Sequence, residues 1–398
     1  MRSLRIVLIL AIVGAGLVGT MPAEPPSRPA MAWKKVVLDT RFRSEGVGVA
    51  DVNKDGLNDI ITGEHWYAAP NWERHSIRKS ERPDGFDPAA YSKSFCCFID
   101  DFNKDGWLDV IVIPFPGEAC FWYENPKNSP GNWPEHPVWR SACNETPQFV
   151  DLFGDGKKVL IMGIQPEGQM CWFEPGSDVT KPWEPRVIST SKAPGTERFS
   201  HGLGVGDVNG DGRLDVIVKQ GWWEQPKEGR NATQPWTFHK ANLGDDCADM
   251  YAVDLNGDGR PDVVSSSAHR LGIWWHEQLP EGNFKRHDLL NTFSQTHAMN
   301  YVDINGDGKK DLVTGKRWWA HGAKGDVDPS APAVLYWIEI ETNPNQPPKF
   351  IPHQIDDDSG VGTQFATADV NGDGLMDVVI SNKKGVFLFL QQRSDAGR

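Results

Sequence analysis

Three features of this 398-residue sequence predict an all-β chain folded as a seven-bladed β-propeller of four-stranded blades. A nine-residue aspartate motif recurs from Asp51, Asp101, Asp151, Asp207, Asp254, Asp303 and Asp369, at spacings of 50, 50, 56, 47, 49 and 66 residues. Around each copy lie short runs of β-branched and aromatic residues, four to a repeat, which is the content of one blade. The last copy has only three such runs, while a fourth-type run, WKKVVL at residues 33–38, precedes the first motif. Pairing residues 33–38 with VFLFLQ at 386–391 closes the ring and removes the exposed edges an open array would leave.

Taken in chain order, the first segment is not part of the fold. Arg2 and Arg5 precede an apolar stretch, residues 6–20, and then a polar, proline-rich exit from Pro22 to Pro29. That is the layout of a secretory signal peptide, assigned to residues 1–23, and it predicts a secreted or periplasmic protein. About 15 apolar residues are short for a membrane span, which needs roughly 20. No integral membrane segment is expected after cleavage. Residues 24–32 read as a linker, 33–392 as a single propeller and 393–398 as a tail.

Within a repeat, a short or glycine-rich run (residues 202–206 or 251–253) leads into the motif, and a β-branched run (216–218, 263–264 or 378–380) follows it. The third run is aromatic: FWYE from Phe121, CWFE from Cys171, GWWE from Gly221, IWWHE from Ile273 and LYWIE from Leu335. The fourth often carries histidine, as at His75, His239, His287 and His353. Recurrence in register assigns these histidines, and most of the aromatics, to blade structure. Trp66, Trp222, Trp318 and Trp319 directly follow the second run and are the candidates for stacking on a sugar ring.

With 39% hydrophobic residues the chain can bury a core, and its net charge of −13 excludes a nucleic-acid partner, which demands a basic face. Six motif copies hold 18 of the 54 acidic residues, so the acidity is local and repeated. The six cysteines, Cys96, Cys97, Cys120, Cys143, Cys171 and Cys247, lack CxxC spacing. Five of them fall between residues 96 and 171, where an oxidising compartment would allow a disulfide of undetermined pairing, but plain structural cysteines are the favoured reading. No Ser-His-Asp order, phosphate loop or dinucleotide fingerprint supports a hydrolase, kinase or dehydrogenase.

The motif, Asp-x-Asn-x-Asp-Gly-x-x-Asp, places hard oxygens at alternate positions of a tight turn, the donor set of Ca²⁺. About six calcium sites are expected. Their side-chain ligands are Asp51, Asn53, Asp55 and Asp59; Asp101, Asn103, Asp105 and Asp109; and Asp207, Asn209, Asp211 and Asp215. The other three sets are Asp254, Asn256, Asp258 and Asp262; Asp303, Asn305, Asp307 and Asp311; and Asp369, Asn371, Asp373 and Asp377. The seventh-position carbonyl (Leu57 in the first copy) is added to each. An EF-hand needs Glu at loop position 12, where this chain has Thr62, Val112, Val218, Ser265, Thr314 or Ile380. The copy at Asp151, with Phe153 and Val159 in place of Asn and Asp, is expected to bind no metal.

These motifs resemble the FG-GAP/VCBS repeats of integrin α-subunit propellers and of secreted bacterial proteins, a resemblance that covers nearly the whole mature chain. It implies that the calcium hairpins share one face and that the start of strand one and the end of strand two point to the other. Aligned on the motif, the residues entering strand one include Glu45, Glu145, His201, Asp249, His297 and Gln364. Those leaving strand two include His65, Lys219, His269, Lys316, Arg317, Asn382 and Lys383, with His321 in the long insertion that follows. This ring predicts a site for a carbohydrate or protein ligand. The alternative is a metal-assisted lyase or dehydratase acting on an oxidised sugar, with one further divalent metal at the centre and His201, His297 and Lys316 near the chemistry. A weaker similarity to the propeller part of fungal aldos-2-ulose dehydratase points the same way. Oligomeric state is not legible.

Overall fold

The computed structural model describes residues 31–80, 90–344 and 346–393. The expected signal peptide, most of the linker and the tail beyond Arg393 lie outside them. The described chain forms seven four-stranded antiparallel sheets, each in simple 1-2-3-4 order, apart from the last. Six sheets span residues 48–76, 96–139, 143–187, 203–240, 251–294 and 299–356. The seventh takes three strands from residues 366–392 and its outer strand from the N-terminus, Ala32–Asp39. That strand pairs with Gly385–Gln392 from Ala32↔Gln392 to Asp39↔Val386, with a bulge between Val37 and Asp39. Closure is therefore as the two chain ends predicted. Two short 3₁₀ turns, Gly229–Asn231 and Gly322–Lys324, are the helical elements among the described residues, and none is long and apolar enough to cross a membrane.

The core lies between blades. One cluster joins Ile60 and Tyr67 of the first blade to Val313 and Trp337 of the sixth and Val379 and Leu388 of the seventh. Another joins Ile161 and Trp172 of the third blade to Val216 and Trp223 of the fourth. Each sheet is covered on both faces, which explains why second strands such as Asp109–Ile113 are buried throughout rather than alternating. Toward the axis the chain comes too close for a side chain at two glycines. A Cβ on Gly204 would lie 2.0 Å from the Met250 carbonyl oxygen, and one on Gly362 would lie 1.9 Å from that of Glu45.

At the outer edge the fourth-strand histidines stack flat on third-strand tryptophans. The pairs Trp66–His75, Trp122–His136, Trp222–His239, Trp275–His287 and Trp337–His353 have centroids 4.1–4.4 Å apart. In four of them the imidazole also bonds a third-strand carboxylate, Glu124, Glu224, Glu277 or Glu339, at 2.8–3.2 Å. This motif is structural. It covers one face of Trp66 and Trp222, two of the tryptophans considered for sugar stacking.

The cysteines form no disulfide: all six are free and buried. They are distributed among blade cores, and burial pushes the thiols of Cys97, Cys120, Cys171 and Cys247 up to about 12. Native protein is expected to give essentially no reaction with a thiol reagent at neutral pH, and all six thiols after denaturation without reductant. Fewer than six in the denatured chain would show that a bridge exists.

Candidate functional site

The face that joins first to second strands carries the aspartate loops. In the first loop the Asp55 amide donates to Asp51 Oδ1 at 3.2 Å and Asn53 Oδ1 at 2.9 Å, Gly56 to Asp51 Oδ2 at 2.9 Å, and Leu57 to Asp55 Oδ1 at 2.9 Å. The turn requires left-handed backbone at the sixth position, where glycine stands in all seven copies at φ of +81° to +87°. The side chains of positions one, three and five are thereby tied to one tight turn by the backbone amides they accept.

The ninth-position aspartate has a task that the motif alone did not show. Its two oxygens accept backbone N–H groups from loop position two and from the end of the third strand or just beyond it. For Asp109 these are Phe102 at 3.0 Å and Asn125, beyond the strand, at 2.8 Å; for Asp377, Val370 at 2.9 Å and Gln391, still within the strand's end, at 2.8 Å. Asp59, Asp215 and Asp262 repeat the pattern. Burial first, and then the neighbouring loop carboxylates, push these groups up, to about 6 for Asp59, Asp215 and Asp377 and about 7 for Asp109. In the sixth blade the buried Asp311 Oδ2 has no partner. A tight turn that brings carboxylate and amide side chains together, with a buried aspartate behind it, has the donor chemistry of a hard divalent cation.

A second recurrent contact ties four of the seven loops, the degraded one included, to the next blade. The amide side chains of Asn125, Gln225, Gln278 and Gln391 donate to the position-two carbonyls of the preceding blade, Val52, Leu152, Val208 and Ile304, at 2.7–3.0 Å.

On the opposite face, four of the residues entering strand one do converge. His201 Nε2 lies 3.2 Å from His297 Nε2 and 3.0 Å from His269 Nε2. Glu145 stands beside them, with Oε2 3.1 Å from His297 and Oε1 3.6 Å from His201. Arg317 closes the group from strand two, donating to Glu145 at 2.9 Å, His297 Nε2 at 2.8 Å and Glu45 at 2.8 Å. His297 and Arg317 are 0% and 2% exposed. Burial holds His201 below its usual range and His297 well below it, with the Arg317 charge adding to both. Both rings are therefore neutral, and a neutral imidazole carries a single N–H. Three Nε2 atoms from three blades lie within 4.8 Å of one another, an imidazole set of the type that holds a divalent transition metal, although the His297 Nε2 lone pair here accepts from Arg317.

The insertion after Arg317 supplies the carboxylate behind these rings. Asp326 accepts from His269 Nδ1 at 3.0 Å and from His321 Nδ1 at 2.9 Å. Burial would raise Asp326, but hydrogen bonds from the two imidazoles hold it well below the carboxylate range. Its bond to Nδ1 sets the His269 tautomer that turns the Nε2 lone pair toward His201. Sequence reasoning missed Asp326. The only signal was its place five residues after His321 in the same long insertion. Beside His269 a cleft of about 320 Å³, lined by Lys219, Asp246, Ser267 and Arg270, opens to solvent.

The other residues expected on this face are placed elsewhere. Lys316 is buried with its ammonium 2.7 Å from both Ser294 Oγ and the Asp328 carbonyl, so it holds the insertion down. Lys383 bonds the Trp319 and Ala320 carbonyls at 3.0 and 3.3 Å and serves the same loop. Asp249 is locked to Gln148 and to the Met299 amide at 3.0 Å each, and Gln364 to both backbone groups of Cys97. Asn382 bonds the Ser359 carbonyl at 2.6 Å. His65 is buried under Arg74 and Arg43, and burial followed by those charges pushes it down to about 4.

An FG-GAP-like repeat model matches residues 222–314, and an FG-GAP repeat model matches residues 361–398. The chain is an FG-GAP-like propeller. No curated protein sequence matches it. Among solved structures the propeller resembles an Agrocybe aegerita lectin that recognises non-reducing terminal N-acetylglucosamine (15% identity, 92% of this chain and 87% of that one, TM-score 0.48). It also resembles BBS1N in its complex with ARL6DN (11%, 93% and 99%, TM-score 0.53). A third likeness is to the Photorhabdus luminescens Tc holotoxin pore (15%, 92% and 14%, TM-score 0.36). At these identities the likeness is one of fold.

Arg317 is the counter-charge of two buried carboxylates. Replacing it with Met is expected to cost about 3–5 kcal/mol, because Glu45 and Glu145 would stay buried without it. Denaturant unfolding measures this, and adding Glu45→Gln and Glu145→Gln should recover part of the loss. A cost under about 1 kcal/mol would show that the network contributes little.

Proposed function

We propose that this FG-GAP-like propeller is secreted, holds calcium in its six intact loops, and uses a three-histidine divalent-metal centre on the opposite face to bind and transform an oxygen-rich small molecule. The observation that carries the reading is the meeting of the Nε2 atoms of His201, His269 and His297 within 4.8 Å of one another, beside an open cleft. Residues 1–23 carry the secretion part, and the tight turns with their uncompensated buried aspartates carry the calcium part.

A divalent ion at the histidines would polarise a carbonyl or hydroxyl oxygen of the substrate. The chain's own groups divide the remaining work. Glu145, which burial alone would raise, is held well below the carboxylate range by the Arg317 guanidinium beside it and keeps a negative charge against the cluster. Asp326 orients His269. His321, a third exposed and bonded through Nδ1 to Asp326, is the ring with solvent access on that side and is placed to pass a proton at Nε2. This set suits proton abstraction next to a carbonyl, as in eliminating water from an oxidised sugar. Lys316, first considered for that chemistry, is occupied by the insertion loop.

Metal analysis tests the reading directly. The purified protein is expected to carry one transition-metal equivalent besides calcium. His297→Ala should lose that metal, and keto-sugar turnover with it, while keeping calcium and the fold. Asp326→Asn should weaken metal affinity about 10–100-fold. A wild-type protein that keeps its calcium but takes up no Zn²⁺, Mn²⁺ or Fe²⁺ would end the catalytic reading, and a metal-loaded protein inert toward keto-sugars would leave a binding site only.

Calcium has its own readout. A site held at about a hundred times its Kd contributes about 2.7 kcal/mol. EGTA is therefore expected to lower the melting temperature by several degrees, and added Ca²⁺ to restore it. An unchanged melt after verified calcium removal would contradict a structural role.

A further inference from the structure

The degraded third loop keeps its shape. The Asp155 amide donates to Asp151 Oδ1 at 3.1 Å, Gly156 to Asp151 Oδ2 at 2.8 Å and Lys157 to Asp155 Oδ1 at 3.1 Å, as in the intact copies. It does so without the third-position amide, now Phe153, and without the ninth-position carboxylate, now the buried Val159. The third blade's outer strand, Arg186–Val187, is also only two residues long. This blade therefore has the fewest loop ligands and the shortest outer strand of the seven.

Arg230 reaches this loop from the 3₁₀ turn Gly229–Asn231 of the fourth blade. Its Nε donates to Asp155 Oδ2 at 2.5 Å and one terminal nitrogen to Asp155 Oδ1 at 3.0 Å. The same nitrogen donates to the Lys157 carbonyl at 2.9 Å, and the other terminal nitrogen to Glu174 at 2.6 Å. The fifth-position carboxylate and the seventh-position carbonyl are two of the groups assigned to the ion in the intact loops. The guanidinium centre lies 4.7 Å from the Phe153 ring and 5.6 Å from the Trp172 ring. The residue that replaced an oxygen ligand thus offers a π face, which suits a guanidinium and is useless to calcium.

Cations touch other loops, but differently. Arg213 and Arg260 are the seventh residues of their own loops. Each contacts the fifth-position aspartate through one nitrogen and places its Nε on the Gln225 or Gln278 carbonyl. Neither takes the seventh-position carbonyl of a neighbouring blade's loop.

We propose that Arg230 stands permanently where the other loops take calcium, so that the third blade is fastened to the fourth by a built-in cation and is indifferent to calcium. The inference rests on the calcium reading of the six intact loops.

Counting ions tests it. Wild-type protein is expected to hold six calcium ions, and Phe153→Asn/Val159→Asp/Arg230→Gln seven. Seven in the wild type, or no gain in the triple variant, overturns the proposal. No calcium in the wild type instead shows that the underlying loop reading has failed. Arg230→Gln alone provides a second measurement that needs no engineered site. It is expected to lower the melting temperature by a few degrees. The drop should be equal in Ca²⁺ and in EGTA. A null effect in both, or a drop seen only with calcium present, overturns it.

Discussion

Each intact aspartate loop depends on one buried carboxylate. The ninth-position aspartate lies under its loop with almost no exposure, and in five copies it joins the loop's second residue to the end of the third strand through two backbone hydrogen bonds. A charged group buried this way is costly unless bonded and compensated. The two amides supply the bonds, and a cation in the loop above would supply the compensation. Loop, second strand and third strand are thereby positioned together. In four cases the side-chain amide at the end of the third strand then reaches the preceding blade, so local turn geometry is passed between blades.

The two faces answer the same electrostatic problem differently. On the loop face, negative charge is repeated in turns whose donor chemistry would suit hard ions. On the opposite face, Glu45 and Glu145 are buried with Arg317 as an internal counter-charge, and the histidines beside them are kept neutral. Neutral imidazoles are what a borderline metal needs, and Asp326 fixes the orientation of one of them. The insertion carrying Asp326 is itself held down by Lys316 and Lys383, residues whose sequence positions suggested direct roles.

Much of this was legible before any coordinates. Motif spacing gave seven blades, and the missing fourth run at one end with its surplus at the other gave the closure. The alignment on the motif aspartate found His201, His297, Glu145 and Glu45, because a residue at fixed distance from a repeated turn occupies the same height in every blade. That same rule picked out Asp249 and Gln364, although their side chains are taken up by Gln148 and by the Cys97 backbone, each two blades away. Height along the axis follows from register, whereas direction depends on what the other blades present.

The sequence by itself determined the repeat, the turn chemistry and the order of strands, since these depend on backbone geometry within about 50 residues. Only the tertiary structure decided which polar residues meet. His201, His269 and His297 come from three blades, Glu45 and Arg317 are separated by 272 residues, and Arg230 finds a loop 75 residues away. Contacts made by bending a chain of similar units into a ring have no local signature. They depend on the curvature of the whole ring, which is set when the first strand pairs with the last.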